Sequence, residues 1–467
     1  MIKVRDEKDQ ANIAKVYRAG QEHIFRYWDE LAPDDRRALL DQVDRLDFQL
    51  LARLAQRIDE KPPLHKLEPP PGVVRLADAR EAEERWRALG EGALEKGKVG
   101  ALLVAGGQGT RLGFPGPKGC FPVGPITGKT LFQYFAEAIA ALGRRYRTTV
   151  PWYVMTSEGN HEAVTGFFKE HNTFGLGRSD VFFFRQRELA ALDPHGKLLL
   201  AGKGEIATSP NGHGGVVPAL RESGALEDMA RRGVEWVHYW QVDNPLVKVA
   251  DPAFLGCMIE REAEAGAKVA SKRDPGEKVG VWGLVDGKLG VIEYSELPKE
   301  DAERRDAEGR LLYDAGNLAI HGFSRAFLER LAGDGLSLPY HKAHKKVPYV
   351  NRKGEKVEPT EPNGVKFEMF VFDAIAEARN VVIYEIDRAE EFAPVKNAEG
   401  EDSPATCRRA LVERDARRLE AAGAKVKRDA AGAVPFPIEI SPAAALDAED
   451  LKRHVEPGQE IAGDFKL

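Results

Sequence analysis

Between Leu102 and Gly119 the chain reads LLVAGGQGTRLGFPGPKG, a run whose residue types suit phosphate chemistry. Gly106, Gly107 and Gly109 lack the Cβ atoms that would hold a ligand off the main chain, so their amide N–H groups can approach phosphate oxygens or a base closely. Arg111 and Lys118 follow, seven residues apart, with Pro115 and Pro117 stiffening the segment between them. Two fixed cations beside a ring of amide donors make a site for a polyphosphate that sheds charge during reaction. Spacing excludes two better-known phosphate loops. A P-loop needs G-x-x-x-x-G-K-[ST], but Lys118 lies between Pro117 and Gly119. A dinucleotide fingerprint needs G-x-G-x-x-G, but Leu112 stands where the third glycine after Gly107 belongs, and Ile126 to Thr130 offers no ribose-binding carboxylate. A nicotinamide-dependent dehydrogenase is therefore disfavoured.

Such a loop must be delivered by a buried strand. Val99 to Ala105 is a short apolar run ended by glycines, as a parallel strand covered on both faces would be. Helical and apolar segments then take turns: helix over Thr130 to Leu142, strand over Trp152 to Thr156, helix over Glu162 to His171, strand over Val181 to Phe184. Trp236 to Val242 reads as another strand and Pro252 to Ala265 as another helix. This alternation predicts an α/β fold with a central doubly wound sheet. Before it, residues 1–95 are rich in helix formers, with Leu39, Val43, Leu46, Leu50 and Leu54 at helical spacing and a further helix over Ala77 to Leu94. Lys61-Pro62-Pro63 and Pro69-Pro70-Pro71-Gly72 interrupt that region as a linker or surface crossing. After residues 96–390, the expected nucleotide-handling domain, residues 391–467 suggest a small C-terminal subdomain: a helix over Ser403 to Ala421, then short extended pieces such as Val434 to Ile440.

Composition narrows the function classes. The 467 residues are too many for one small module at roughly 150 per domain. The formal net charge is −6, with no long block of like charge, which argues against a nucleic-acid binder. Three scattered cysteines, Cys120, Cys257 and Cys407, fit neither a disulfide framework nor a thiolate metal site. The charged start and the lack of long apolar runs predict a soluble cytoplasmic protein with no membrane partner.

The loop resembles the nucleotide-binding signature of UDP-sugar pyrophosphorylases, most closely the eukaryotic-type UDP-N-acetylglucosamine pyrophosphorylases. Further stretches fall in the same order: FRQRELAAL around Gln186, SPNGHGG from Ser209, QVDNPLVKVADP from Gln241, VIEYSE from Val291, AGNLAIHGF from Ala315, HKAHKKVPYV from His341, NGVKFEMFVFD from Asn363 and EFAPVKNAEG from Glu391. Even YWDELAPDDRRALLDQVDRLDF is similar, so the resemblance covers nearly the whole chain. It implies a Rossmann-like nucleotide-diphospho-sugar transferase fold with a mixed sheet. The implied reaction is attack by a sugar 1-phosphate oxygen on the α-phosphorus of UTP, with Mg²⁺ as cofactor and pyrophosphate leaving. UDP-N-acetylglucosamine or a related UDP-N-acetylhexosamine is the implied product. Transfer to glucose or galactose 1-phosphate and a non-catalytic UDP-sugar sensor are the alternatives.

Carried over residue by residue, the resemblance makes Arg111, Lys118 and Lys396 catalytic: the first two on the β- and γ-phosphates, the last on the sugar phosphate. It makes Asp243 the Mg²⁺ ligand, a role suited to the carboxyl end of a core strand. Ala105, Gly106, Gly107, Gln186 and Gly212 match nucleotide contacts, with Gly107, Gln186 and Gly212 at uracil. Gly280, Glu293 and Asn317 match positions that bind sugar hydroxyls, where a carboxylate or carboxamide suits a group that both donates and accepts. Phe370 and Phe372 match the wall beside the N-acetyl methyl, and strand alternation would point both the same way. Two positions depart from the family pattern: Arg187 replaces a glycine, and His213 replaces the asparagine of SPNGNGG at a sugar or ribose contact. His341 and His344, in a Lys-rich stretch read as a loop, lack the spacing of a zinc site. Cys120 has no base placed to activate it and is given no catalytic role.

Overall fold

The computed structural model describes residues 2–60, 65–333 and 338–467. Lys61-Pro62-Pro63, half of the expected proline linker, lies outside the described residues. The chain forms two compact units. One comprises Met1–Leu64, Gln186–Gly215 and Ser337–Val371, and the other His65–Arg185, Val216–Leu336 and Phe372–Leu467.

In the first unit the helices Glu7–Arg18, Pro33–Arg45 and Phe48–Gln56 enclose a core of Ile13, Leu39, Leu54, Leu192, Val365 and Phe367. The leucine period does not run through one helix. Leu46 is extended, and the Asp47 side chain accepts N–H bonds from Gln49 and Leu50 to start a new one. Four two-stranded ribbons lie among the unit's described residues. In two of them Tyr340–Lys345 pairs antiparallel with Gly364–Met369, and Glu188–Ala190 with Thr208–Pro210. The stretch holding His341 and His344 is therefore a strand rather than a loop.

The second unit is built on a mixed sheet. Its main path runs Leu67–Glu68, Val281–Val285, Ala315–Ser324, Trp236–Gln241, Val99–Val104, Trp152–Thr156, Val181–Arg185, and Ala265–Ser271 joins Ala315–Ser324 to Val381–Glu385. The last four strands of the main path are mutually parallel, while Ala315–Ser324 runs antiparallel to Trp236–Gln241. Helices Leu131–Tyr146 and His161–Glu170 make the crossovers, and Thr130 caps the first through Gln133 N–H. Leu76–Glu95 and Pro252–Glu260 cross so closely that a Cβ on Gly256 would sit 1.7 Å from the Trp86 carbonyl oxygen. The helix expected over Pro252 to Ala265 stops at Glu260, because Glu262 turns with φ +50° and Ala265 opens the next strand. Ser403 and Thr406 form a capping box before the helix Pro404–Ala421, which packs with Ile438 and Leu451 as a small C-terminal core. No described helix is long and apolar enough to cross a membrane.

One core position sets an acid limit on this fold. His238, on the Trp236–Gln241 strand, is fully buried with both ring nitrogens unpartnered among the described residues. Burial, then the nearby Lys268 charge, pushes its pKa down to about 3 from 6.5. Below pH 6.5 the unfolded chain binds a proton that the native state refuses, so stability falls with pH. Relative to His238→Leu, the wild type is expected to lose about 2 kcal/mol between pH 7 and pH 5, read from urea unfolding at each pH. Parallel curves for the two proteins would contradict this.

Candidate functional site

The strand Val99–Val104 delivers the glycine loop at its carboxyl end, and the loop closes on itself. Gly109 N–H donates to the Gly116 carbonyl at 2.8 Å, and Lys118 N–H to the Gly107 carbonyl at 3.0 Å. Neighbouring segments fix its base: Asn160 Nδ2 donates to the Ala105 carbonyl at 2.9 Å and Ser157 Oγ to the Gly106 carbonyl at 3.0 Å. A Cβ added to Gly107 would meet no atom within 4 Å, so this stretch of main chain faces open space. Arg111 lies exposed on a single 3-10 turn, Thr110–Leu112, and no described carboxylate pairs with it.

Lys118 is held differently. Its side chain is 16% exposed and its Nζ stands 3.9 Å from Asp243 Oδ2, itself 15% exposed. Asp243 follows the Trp236–Gln241 strand, one place along the sheet from the loop's own strand. Its carbonyl accepts the Val395 N–H at 2.8 Å, which ties the turn to the segment bearing Lys396. Asn244 strengthens that tie, accepting from Ala393 N–H at 3.0 Å and donating to the Glu391 carbonyl at 2.7 Å. Lys396 is half-exposed, with Nζ 3.7 Å from Asp402 and 5.8 Å from the Phe392 ring centroid. The loop, Asp243 and the Lys396 segment thus gather at the carboxyl ends of parallel strands, where open α/β sheets bind ligands.

Gly280, Glu293 and Asn317 also come together in this unit. A Cβ on Gly280 would lie 3.3 Å from Glu293 Oε1, and Asn317 N–H donates to the Gly280 carbonyl at 2.8 Å. The register between Ala265–Ser271 and Ala315–Ser324 shifts at Lys268/Val269, and Ala319 takes φ +55° in the resulting irregularity. Bulges of this kind re-aim side chains at sheet edges and sites. Phe372 sits buried in the short helix Val371–Ile375. It does not share a strand with Phe370, because Gly364–Met369 ends first. The alternation argument for the pair therefore fails.

The first unit holds the remaining candidates. Gln186 is 5% exposed, and its Nε2 donates to the Gly212 carbonyl at 2.6 Å and to Asn211 Oδ1 at 3.1 Å. With both amide hydrogens spent, Oε1 is the end left to accept from a ligand. Gly212 has φ +85°, and a Cβ there would meet the Met369 carbonyl oxygen at 2.3 Å. Gly212→Ala should therefore cost about 2 kcal/mol or more, seen as a lowered Tm. An unchanged Tm would show that the loop can shift.

His213 Nδ1 accepts the Val371 N–H at 3.1 Å, which assigns the proton of the neutral ring to Nε2. Burial, with a smaller contribution from His341, pushes its pKa down to about 4, so the ring is neutral at pH 7. Phe370 stacks on both imidazoles, 5.3 Å from His213 and 4.4 Å from His341 between centroids. The sequence offers His341 only a zinc reading, which its spacing disfavours. Its stacking role gave no local signal, since it depends on pairing between distant strands. Asn160 and Ser157 were missed likewise, because they act on main-chain atoms of remote segments, and Asn211 because it accepts from the Gln186 side chain. Burial, then Glu170, pushes the Cys120 thiol up to about 12, so it stays protonated and is no nucleophile.

Among the described residues no three His, Cys, Asp or Glu side chains gather to hold a metal alone. Mg²⁺ needs no such cage: it keeps waters and commonly takes one or two carboxylates plus substrate phosphates, so Asp243 beside the loop fits it.

A mixed sheet of this topology, with a closed glycine loop, a lysine and a carboxylate at its strand ends, is that of a nucleotidyltransferase. The chain belongs to the family described as UTP–glucose-1-phosphate uridylyltransferase, whose model matches residues 56–419. It is 43% identical to human UDP-N-acetylhexosamine pyrophosphorylase-like protein 1, over 97% of this chain and 96% of that one. It is 37% identical to the UDP-N-acetylglucosamine pyrophosphorylase of Saccharomyces cerevisiae, over 88% and 91%. The crystal structure of the uridine diphosphate N-acetylglucosamine pyrophosphorylase from Trypanosoma brucei in complex with inhibitor superposes with a TM-score of 0.82 at 28% identity, covering 98% of this chain and 99% of that one.

Proposed function

We propose that this protein is a cytoplasmic, Mg²⁺-dependent uridylyltransferase that makes UDP-N-acetylglucosamine, or a related UDP-N-acetylhexosamine, and pyrophosphate from UTP and the sugar 1-phosphate. The observation that carries the chemistry is the closed loop Gly107–Lys118 presenting Lys118 3.9 Å from Asp243. The names of the relatives supply the sugar.

In this reading a sugar phosphate oxygen forms a bond to the α-phosphorus of UTP while the bond to the bridging oxygen of the β-phosphate breaks. Negative charge then grows on the departing pyrophosphate. Arg111 and Lys118 offset that charge where it develops, which lowers the barrier more than it tightens ground-state binding. Lys396 screens the repulsion between the incoming phosphate and the triphosphate, and so favours alignment. Mg²⁺, when bound through Asp243, would neutralise phosphate oxygens and help to orient them.

The backbone of Ala105, Gly106 and Gly107 lets the nucleotide approach closely, and Gln186 Oε1 accepts the uracil imide N–H with Gly212 beside it. Gly280, Glu293 and Asn317 take the sugar hydroxyls, and Phe370 and Phe372 flank the N-acetyl methyl. His213 offers Nε2–H to a ribose or sugar oxygen.

Purified protein assayed with UTP, Mg²⁺ and a panel of sugar 1-phosphates tests this reading. N-acetylglucosamine 1-phosphate is expected to lead by at least about tenfold in kcat/KM, a discrimination of roughly 1.4 kcal/mol. A tenfold lead for glucose or galactose 1-phosphate would overturn the sugar assignment. Binding of UDP-sugar without pyrophosphate release from any substrate would make the protein a sensor.

A further inference from the structure

The second unit contains a buried ionic cluster that the chemistry above leaves unused. Lys268, on the strand Ala265–Ser271, is 0% exposed, and its Nζ donates to Asp251 Oδ2 at 2.6 Å and to Glu391 Oε2 at 2.5 Å. Lys248 Nζ stands 3.4 Å from Glu391 Oε1, so two cations meet two carboxylates. Stability alone does not call for such a cluster, because apolar residues of similar volume commonly pack as stably as buried ions. Ion pairs add a fixed geometry, and two connections show where it is used.

The first runs to the phosphate end of the sugar 1-phosphate. Glu391 closes the short helix Arg388–Glu391, and the segment bearing Lys396 leaves from it. The Glu391 carbonyl accepts from Asn244 Nδ2, Asn244 Oδ1 accepts the Ala393 N–H, and the Asp243 carbonyl accepts the Val395 N–H. Lys268 thus holds, through the Glu391 side chain, the root of the segment that those bonds lay against Asp243.

The second runs to the hydroxyl end. Where Ala265–Ser271 pairs with Ala315–Ser324, Lys268 lies opposite Ile320 and Val269 opposite Asn317, so Leu318 and Ala319 bulge out at that step. Asn317 Oδ1 accepts the Ala319 N–H at 3.1 Å, so the bulge orients the Asn317 amide as well.

Resting on the functional reading above, we propose that Lys268 is a positioning residue: without touching substrate, it sets the spacing between Lys396 at the phosphate and Asn317 at the sugar hydroxyls. The nucleotide contacts, on the glycine loop and around Gln186, lie on other elements and are spared. Steady-state kinetics of Lys268→Met, run well below its Tm, tests this. With the sugar 1-phosphate that the wild type uses best, kcat/KM should fall by about tenfold or more, while KM for UTP stays within about twofold. In a Lys396→Ala background the same substitution should cost at most about threefold, because one of the groups it positions is gone. The neutral triple variant Lys268→Met, Asp251→Asn, Glu391→Gln serves if the single variant does not fold, since it leaves no buried carboxylate charge unpaired. A lowered Tm with kcat/KM unchanged would make the cluster purely structural and overturn the proposal. Equal costs in the two backgrounds, or a matching rise in KM for UTP, would overturn it too. No pyrophosphate release by the wild type with any sugar 1-phosphate would instead defeat the functional reading, and the proposal with it.

Discussion

Lys118→Ala is expected to lower kcat by about 10²- to 10³-fold while leaving the affinity for the sugar 1-phosphate nearly unchanged. The reason is geometric. The lysine leaves its loop at the point where its own N–H closes the ring onto the Gly107 carbonyl, so truncating the side chain removes charge without opening the loop. Its proposed partner, the departing pyrophosphate, carries full charge only as the bond to the α-phosphorus breaks. Steady-state kinetics at saturating Mg²⁺ reads this directly. A rise in KM for UTP with kcat intact would mean that the lysine binds substrate and transition state equally, and the assigned role would be wrong.

Asp243→Asn is expected to raise the Mg²⁺ concentration for half-maximal rate by at least about tenfold and to lower kcat by about 10²-fold at saturation. Asparagine keeps the shape of the turn and the carbonyl that accepts from Val395, so the effect isolates the loss of charge. Combined with Lys118→Ala it should cost less than the sum of the two, because the groups stand 3.9 Å apart and would act on one phosphate cluster. An unchanged metal titration would remove Asp243 from the metal site, whatever happened to the rate.

The cation and carboxylate also balance each other before substrate arrives. At 3.9 Å they are close enough to attract but not to bond, so neither must break a strong pair to accept phosphate or metal. Arg111 is exposed, so its order must come from the ligand itself. This difference ranks Lys118 above Arg111 in expected effect.

Much of the second unit was legible in the chain. The strands Trp152–Thr156 and Val181–Arg185 and the helices Leu131–Tyr146 and Pro404–Ala421 fall within a few residues of the pattern-based expectation. Each is marked by a local signal: an apolar run, a Thr130 or Ser403 cap, or a glycine. The helix expected over Pro252 to Ala265 overshoots because Ala263 and Ala265 extend its apolar composition, whereas the backbone turns at Glu262. The Tyr340–Lys345 strand reads as a loop in the sequence because lysine and histidine hide a strand whose stability comes from its partner, Gly364–Met369.

Taken alone, the sequence determined the parallel strands, the glycine loop between Gly106 and Lys118, and the order of the motifs around it, since each depends on neighbours a few positions away. Tertiary structure decided what those motifs touch: Phe370 between His213 and His341, Gln186 against Gly212, and Asn317 against Gly280 across an irregular strand register. Such contacts join segments far apart in the chain, and their geometry is set by sheet pairing and packing rather than by residue type or spacing.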